Sequence, residues 1–409
     1  MAIDESRRPD NQELYSVILV LESGNLIIDV QDIEMLYFIE DITMPCITGK
    51  IVFNDRVGIL EYGPFTGIEK IAIQYGKREN REQIFEIFKI GAIRQGSMGN
   101  MVNDTQVEIH FVDMTFMPLT LKKFSKSFGS NQRYSSIVNQ ILTNMVNLNS
   151  RFLSIMQTTN TIDNYIMPFW TPLQTIKFLS TRAKDRYGAG FLFYNNTENG
   201  FKSNFKSYNY LLSSDNFKEI EEYILESESV KLDNKILEWW IDGLDKFSNK
   251  FLRGGKFLGF DFASKSLIEK EFEYSDGVSK TNLLGRKSLY PDISGTENIF
   301  LYGDNSETTL ENRAYSNWVY RYNKQFVLNA IVEGREDRFA GQLLEIKWPS
   351  IDRKNYYAKN LKGNYLVKTV THMFGRDRSL PYKQRLVLIK NGYTDIDSSS
   401  LLKATRTNV

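Results

Sequence analysis

Residues 106–112 read QVEIHFV, with apolar Val107, Ile109 and Phe111 alternating with polar Gln106, Glu108 and His110. A period of two is the mark of a strand with one face on a core and the other in water. Two earlier stretches read the same way, GKIVFND at 49–55 and EKIAIQYG at 69–76, and EYGPFTG forms a turn between them. The glycines of GSMGNM at 96–101 suit the tip of a hairpin whose return arm is QVEIHFV. Residues 14–117 therefore predict a small antiparallel barrel or sandwich, behind a flexible start at 1–13.

The same phrase recurs near the other end of the chain. Gly67 opens GIEKIAIQYG and Gly341 opens GQLLEIKWPS, and each leads to a long hairpin, returning through QVEIHFV in one case and QRLVLIKNGY in the other. An offset of about 280 residues, kept in order, predicts a duplicated barrel. The second copy is expected over 216–245 plus 312–394, from YILESESVKLD and KILEWWIDGL to LLEIKW and YLVKTVTHMF. Residues 246–311 interrupt it with Gly-, Lys- and Ser-rich sequence, in which LRGGKFLGFDFASKSLIEKEFEYSDG reads as paired strands of an inserted β subdomain. ENRAYSNWVYRYNKQ at 311–325 reads as a helix, and 395–409 as a flexible, Ser-rich tail.

Between the copies the period changes. YSSIVNQILTNMVNL at 134–148 puts Ile137, Ile141, Leu142, Met145 and Leu148 at helical spacing. In MPFWTPLQTIKFLSTRAKD at 167–185, Thr171 can cap a helix that starts at Pro172, and Gln174 stands where a capping-box partner reaches back. That helix, expected over 172–186, turns Leu173, Ile176, Leu179 and Ala183 to one side, and the hairpin FLFYNNTENGF follows. The fold class is thus α+β, mainly β: two similar antiparallel β-barrels, an α+β domain at 118–215, and the inserted β subdomain.

The chain has 409 residues, more than one core usually supports. Its 51 basic and 50 acidic residues leave a net charge of +1, with no Lys/Arg block, so charge does not signal a nucleic-acid surface. Aromatic residues make up 13%, which favours sheets and interfaces over linkers. The start, MAIDESRRPDNQ, lacks an apolar signal core, and VILVL at 17–21 is far too short to span a membrane, so a soluble chain made in the cytosol is expected. Cys46 is the single cysteine, which rules out an internal disulfide.

Reactive chemistry is sparse. His110 and His372 are the only histidines and lie on alternating strand patterns, so a structural or surface role is expected for both; with Cys46 they are too scattered for a zinc site. Cys46 has no adjacent His to activate it and reads as a buried small residue. GxSxG, GxxxxGK[ST] and GxGxxG motifs are absent. Glu219, Glu221 and Glu222, or Glu226 and Glu228, could in principle serve as an acid–base pair for sugar cleavage, but nothing raises them above a solvated charged face. Trp239 and Trp240 could stack on a sugar or a base, or fill a strand core or a subunit interface.

The order of parts resembles the baseplate hub proteins of T-even-type contractile phage tails, and the hub part of type VI secretion spike proteins. ITMPCITGKIVFNDRVGILEYG at 42–63 resembles that family's first barrel. YSSIVNQILTNM and NYIMPFWTPLQTIKFLSTRA, followed by GFLFY, resemble its second domain, and GNYLVKTVTHMFGRDRSLPYKQRLVLIKNGY its closing hairpin. The resemblance implies a structural protein of the virion tail baseplate, made in the host cytoplasm, without enzymatic activity, cofactor or metal. It implies a homotrimeric ring of six similar barrels that joins a threefold central spike, or tail lysozyme protein, to a sixfold tail tube. Neighbouring baseplate proteins are further partners, and DNA passes through without specific binding. The chain carries no needle-like repeats, so a separate spike chain is expected. The hairpins at about 84–112 and 365–390 are the expected ring and tube contacts, because a closed ring must cover its strand edges, with Phe111, His372 and Phe374 as candidate interface residues. A cell-envelope-degrading enzyme or carbohydrate-binding module, and the hub of a bacterial contractile injection system, are the alternatives.

Overall fold

The computed structural model describes residues 13–22, 24–56, 58, 67–76, 81–96, 104–186, 190–213, 216, 221–224, 236–242, 254–261, 265–273, 297–301, 316, 320, 324, 326–347, 362–375 and 382–391. Of the expected loose start at 1–13 only Glu13 is described, as the first residue of a strand; the expected tail at 395–409 lies outside these residues, as do Glu219, Glu226, Glu228 and most of the expected helix at 311–325.

The first unit comprises β1 (Glu13–Leu21), β2 (Gly24–Ile28), β3 (Ile33–Asp41), β4 (Thr48–Asp55), β5 (Lys70–Gly76), β6 (Arg81–Gly96) and β7 (Asp104–Asp113). Its strands lie in the order β3-β4-β7-β6-β5-β1-β2, all antiparallel to their neighbours. In β7 the alternation holds: Val107, Ile109 and Phe111 are fully buried, packed with Phe38, Ile51, Phe53, Ile71 and Ile73.

A middle block follows. α1 (Phe116–Thr120), β8 (Phe124–Ser127), β9 (Gln132–Arg133), α2 (Tyr134–Asn144), β10 (Leu153–Ile155), β11 (Thr161–Ile162), β12 (Ile166–Trp170), α3 (Pro172–Ser180), β13 (Phe191–Asn196) and β14 (Lys202–Ser207) surround a separate core, while α4 (Tyr208–Leu211) closes the block with Tyr208 and Leu211 packed instead among Leu328, Leu366 and Leu388. Ile137, Val138, Ile141 and Leu142 of α2 face Ile176 and Leu179 of α3 there. The capping box forms as expected: the Gln174 amide donates to Thr171 Oγ1 at 3.2 Å, and the Thr171 amide to Gln174 Oε1 at 3.0 Å. Removing the cap by Thr171→Ala leaves a buried helix end short of acceptors and is expected to cost about 1 kcal/mol. Amide exchange along α3 is the measurement, and unchanged protection would refute the capping account. The helix stops at Ser180, short of the expected 186, because the Ser180 and Thr181 hydroxyls turn back onto the carbonyls of Lys177 and Phe178. Ala183 stays buried beyond it.

The second unit comprises β15 (Glu221–Ile224) and β16 (Ile236–Ile241), then β20 (Phe326–Glu333), β21 (Leu343–Lys347), β22 (Gly363–Gly375) and β23 (Tyr382–Lys390). Between β16 and β20 the insertion forms a three-stranded sheet of its own, from β17 (Gly254–Asp261), β18 (Ser266–Glu273) and β19 (Glu297–Leu301). The second unit repeats the first: β16-β20-β23-β22-β21-β15 matches β3-β4-β7-β6-β5-β1. Two irregularities match as well. Glu34 is the extra residue where β3 meets β4, as Leu237 is where β16 meets β20. Phe88 is the extra residue where β6 meets β7, as Lys368 is where β22 meets β23. Before their strands, Gly67 and Gly341 both adopt positive φ, 92° and 96°, a conformation open to glycine and costly to other residues. The units also differ. β15 pairs parallel with β21, whereas β1 is antiparallel to β5, and β6 shifts register once more between Ile90 and Ile93.

Candidate assembly interface

The two units join edge to edge, making one thirteen-stranded sheet in which β22 pairs antiparallel with β3, from Thr369 opposite Asp41 to Gly375 opposite Met35. Asp41 pins the start of this seam. Its Oδ2 accepts from Lys368 Nζ at 2.7 Å and Thr369 Oγ1 at 2.6 Å, and its Oδ1 accepts from the Thr43 amide and hydroxyl. Burial alone would raise this carboxyl, but the hydrogen bonds from Lys368, Thr369 and Thr43, with the Lys368 charge, hold it below its ordinary value of 3.8. A carboxyl depressed in the folded state contributes stability above its unfolded pKa and loses it as pH falls through the folded one. The stability gap between the natural chain and Asp41→Asn is thus expected to be full above pH 3.8 and to close below it. Unfolding midpoints of both chains across that range test this, and a gap that does not change with pH refutes it.

Behind the seam lies a buried polar network centred on Glu40, which is fully buried. Glu40 Oε1 accepts from the Thr197 hydroxyl at 2.6 Å and faces His372 Nε2 at 2.8 Å, while Oε2 accepts from the Ala340 amide at 3.0 Å. With Nε2 donating to the carboxylate, His372 Nδ1 is left to accept from the Tyr382 hydroxyl 2.7 Å away. Arg338, 1% exposed, donates to Gln384 Oε1 and to the Glu333 carbonyl, and Gln384 donates to the Arg335 carbonyl. Aromatic rings seal the cluster: His372 stacks on Phe38 at 4.2 Å, and Phe374 on Tyr382 at 4.6 Å.

A second buried carboxylate, Asp113 at the end of β7, accepts from the Ile47 amide, the Thr115 amide and hydroxyl, and Asn195 Nδ2. Burial pushes its carboxyl up, against the pull of those four hydrogen bonds. Asn195 belongs to the tip of the β13–β14 hairpin, and its two successors reach further. Asn196 Nδ2 donates to the Ala340 carbonyl at 2.8 Å in the second unit, and Thr197 donates to Glu40 in the first. Asn195, Asn196 and Thr197, all at most 1% exposed, therefore tie both units to the middle block. No motif marks these residues in the sequence, since short polar side chains after FLFY read as the turn of a hairpin. The one available signal was a run of three amide and hydroxyl side chains directly continuing an apolar strand.

The three candidate interface residues are all interior. Phe111 is fully buried in the first core; His372 is fully buried in the seam network; and Phe374, with Tyr382, inserts from the second unit into the first unit's core. Strand alternation turns His372 and Phe374 inward, where they hold the chain's own seam, while Phe111 packs within the first unit. Cys46 is buried, and burial, with the nearby Asp113 charge, pushes its thiol up to about 12. His110 lies half-buried on Glu108, whose other oxygen meets Lys50 at 2.8 Å. Lys390 is pushed down to about 7 by burial, a value suited to amine chemistry, yet it is sealed from solvent over the rings of Tyr365 and Phe326. Among the described residues, no three His, Cys, Asp or Glu side chains converge as a metal site. Trp240 packs under Arg385, while Trp239 is 41% exposed.

Besides β2, at the far end of the large sheet, and β15, which pairs only with β21, two strands of that sheet leave an edge open among the described residues. β16 ends the large sheet, with Leu237 38% and Trp239 41% exposed. β6 loses its β5 partner after Ile87, and from there its outer side pairs with no described strand; Phe88, at the start of that stretch, is 46% exposed.

Comparison with solved structures places this architecture. The chain is similar to the tail protein of Neisseria meningitidis MC58, with 11% identity over 94% of this chain and 98% of that one and a TM-score of 0.57. It is also similar to the 43 kDa tail protein of prophage MuSo2 from Shewanella oneidensis, with 10% identity, 94% and 100% covered, and a TM-score of 0.54. A chain of the half-lidded Francisella PdpA–VgrG complex matches with 11% identity, 95% and 59% covered, and a TM-score of 0.51. No protein-family model and no curated protein sequence matches the chain. At these identities the likeness shows the fold: that of phage tail proteins and of a chain in a VgrG complex.

Proposed function

From that shared fold, we propose that the chain is a structural baseplate hub of a phage tail. Three copies form a ring of six similar β units around a channel for DNA, and the ring joins a threefold central spike, or tail lysozyme protein, to a sixfold tail tube. The observation that carries this reading is the doubled unit: matching strand order and matching bulges, laid side by side in one continuous sheet. A threefold set of such pairs offers six near-equivalent faces, which is what a protein between threefold and sixfold partners needs. The units correspond to residues 14–117 and to 216–245 plus 312–394, with 118–215 as the buttress and 246–311 as the insertion. A net charge of +1 suits a channel that passes DNA without holding it, since each Lys/Arg–phosphate contact adds salt-dependent affinity. The chain acts without catalysis, in the virion baseplate, with neighbouring baseplate proteins as further contacts. The similarity to a chain of a VgrG complex favours, as a second reading, the same role in a contractile injection system. No helix among the described residues is long and apolar enough to cross a membrane.

Light scattering on the purified chain, alone and with the spike protein of the same tail, tests the proposal. A mass of three chains, in either condition, is the expected result. A monomer in both conditions at assembly concentrations, or release of sugar fragments from cell-envelope preparations, would overturn it.

A further inference from the structure

The seam inside the chain specifies its own counterpart between chains. β22 pairs with β3, and their equivalents in the repeat are β6 and β16. Both leave an edge open among the described residues; β2 and β15 do so too, but only β6 and β16 are the counterparts of the seam strands. We propose that the outer half of β6 of one copy pairs antiparallel with β16 of a second copy, repeating the β22·β3 seam; this rests on the ring reading above.

The register follows from the matched bulges. Ile33 opposite Phe53 corresponds to Ile236 opposite Val332, so Leu36, Tyr37 and Phe38 correspond to Trp239, Trp240 and Ile241. Val107 and Gln384 are equivalent on the next strand, and their partners Ile93 and His372 are therefore equivalent too. Within the chain, His372 faces Phe38, Met373 faces Tyr37, Phe374 faces Leu36 and Gly375 faces Met35. Between chains, Ile93 then faces Ile241, Arg94 faces Trp240, Gln95 faces Trp239 and Gly96 faces Glu238. The surface chemistry agrees. Each edge exposes large apolar side chains next to a charged one, Phe88 beside Lys89 on one strand and Leu237 and Trp239 beside Glu238 on the other, so charge guards neither edge alone. The contact is head to tail, each copy giving one edge and taking another, so it must close into a ring or run on as a filament.

Cysteine pairs test the register. Directly opposed residues approach to about 4.5–5.5 Å between Cα atoms, within disulfide reach, whereas positions two residues off lie about 7–8 Å apart. Gln95→Cys with Trp239→Cys, and separately Arg94→Cys with Trp240→Cys, cover both kinds of opposed pair; Gln95→Cys with Ile241→Cys is the off-register control. The native Cys46 is buried and does not compete. On oxidation, an in-register pair is expected to give a covalent ladder ending at three chains, with at least tenfold less from the control. A trimer by light scattering that yields no in-register cross-link, or as much from the control, overturns this pairing and leaves the ring reading standing. A monomer without cross-links removes both, and a ladder running past three replaces the ring with a filament. In the unmodified chain, amide exchange at 93–96 and 237–241 is expected to slow on trimer formation; unchanged exchange in a trimer also refutes the pairing.

Discussion

Glu40→Ala is expected to weaken the joint between the two units by about 3–5 kcal/mol, the cost of removing one partner from a buried, fully bonded ionisable cluster. The substitution strands three donors at once, from His372, the Thr197 hydroxyl and the Ala340 amide, all fully buried and belonging to different parts of the chain. Amide exchange along β3 and β22 reads the effect directly, with a loss of protection of roughly a hundredfold or more. Glu40→Gln keeps the shape: its oxygen can still accept from the Ala340 amide while its NH2 donates to the Thr197 hydroxyl oxygen and to His372 in the other tautomer, so it should cost much less. If alanine and glutamine behave alike, or if alanine costs under about 1 kcal/mol, Glu40 does not hold the joint.

Gly49→Leu is expected to prevent the first unit from packing. A Cβ at Gly49 would sit 2.3 and 2.4 Å from ring carbons of Phe111 and 2.7 Å from the Tyr37 carbonyl oxygen. The ring belongs to a filled core and the oxygen to a neighbouring strand, so neither yields cheaply, and a cost of about 3 kcal/mol or more follows. The second unit shows how the same space can be filled otherwise. Leu328 stands where Gly49 does, and it faces Leu388 where Gly49 faces Phe111. Adding Phe111→Leu to Gly49→Leu should therefore recover part of the loss, leaving the strain against Tyr37. Soluble yield and the urea midpoint of the two single variants and the double variant measure this coupling. Additive losses would mean that Phe111 is not what Gly49 makes room for.

What the sequence made legible was local. Alternation in QVEIHFV put Val107, Ile109 and Phe111 on one face, and Thr171, Pro172 and Gln174 announced a helix start, because both signals act within a few residues. The doubling was visible as matching order and spacing, though Gly67 and Gly341 prove to sit one place apart relative to their strands. The seam was not legible. Its pairs, such as Thr369 with Asp41, join positions more than 300 residues apart, and no local preference records which edge meets which. The buried acids were hidden for another reason: Glu40 and Asp113 look in sequence like any solvated acid in a strand, and only their donors, brought in from elsewhere, distinguish them. Nor does the sequence record that Phe374, in a hairpin with a strand edge to cover, is driven with Tyr382 into the core of the neighbouring unit.

The bulges at Glu34 and Leu237, and at Phe88 and Lys368, carry a kind of memory that side chains do not. Point substitution can exchange Gly49 and Phe111 for two leucines and leave no trace of descent. It cannot remove an extra residue from a strand, because that takes a deletion, and a deletion turns every later side chain to the wrong face. Residue count is thus a slower clock than residue identity. Two halves of a chain, or two proteins about a tenth identical, can stop resembling each other letter by letter while still keeping the same time.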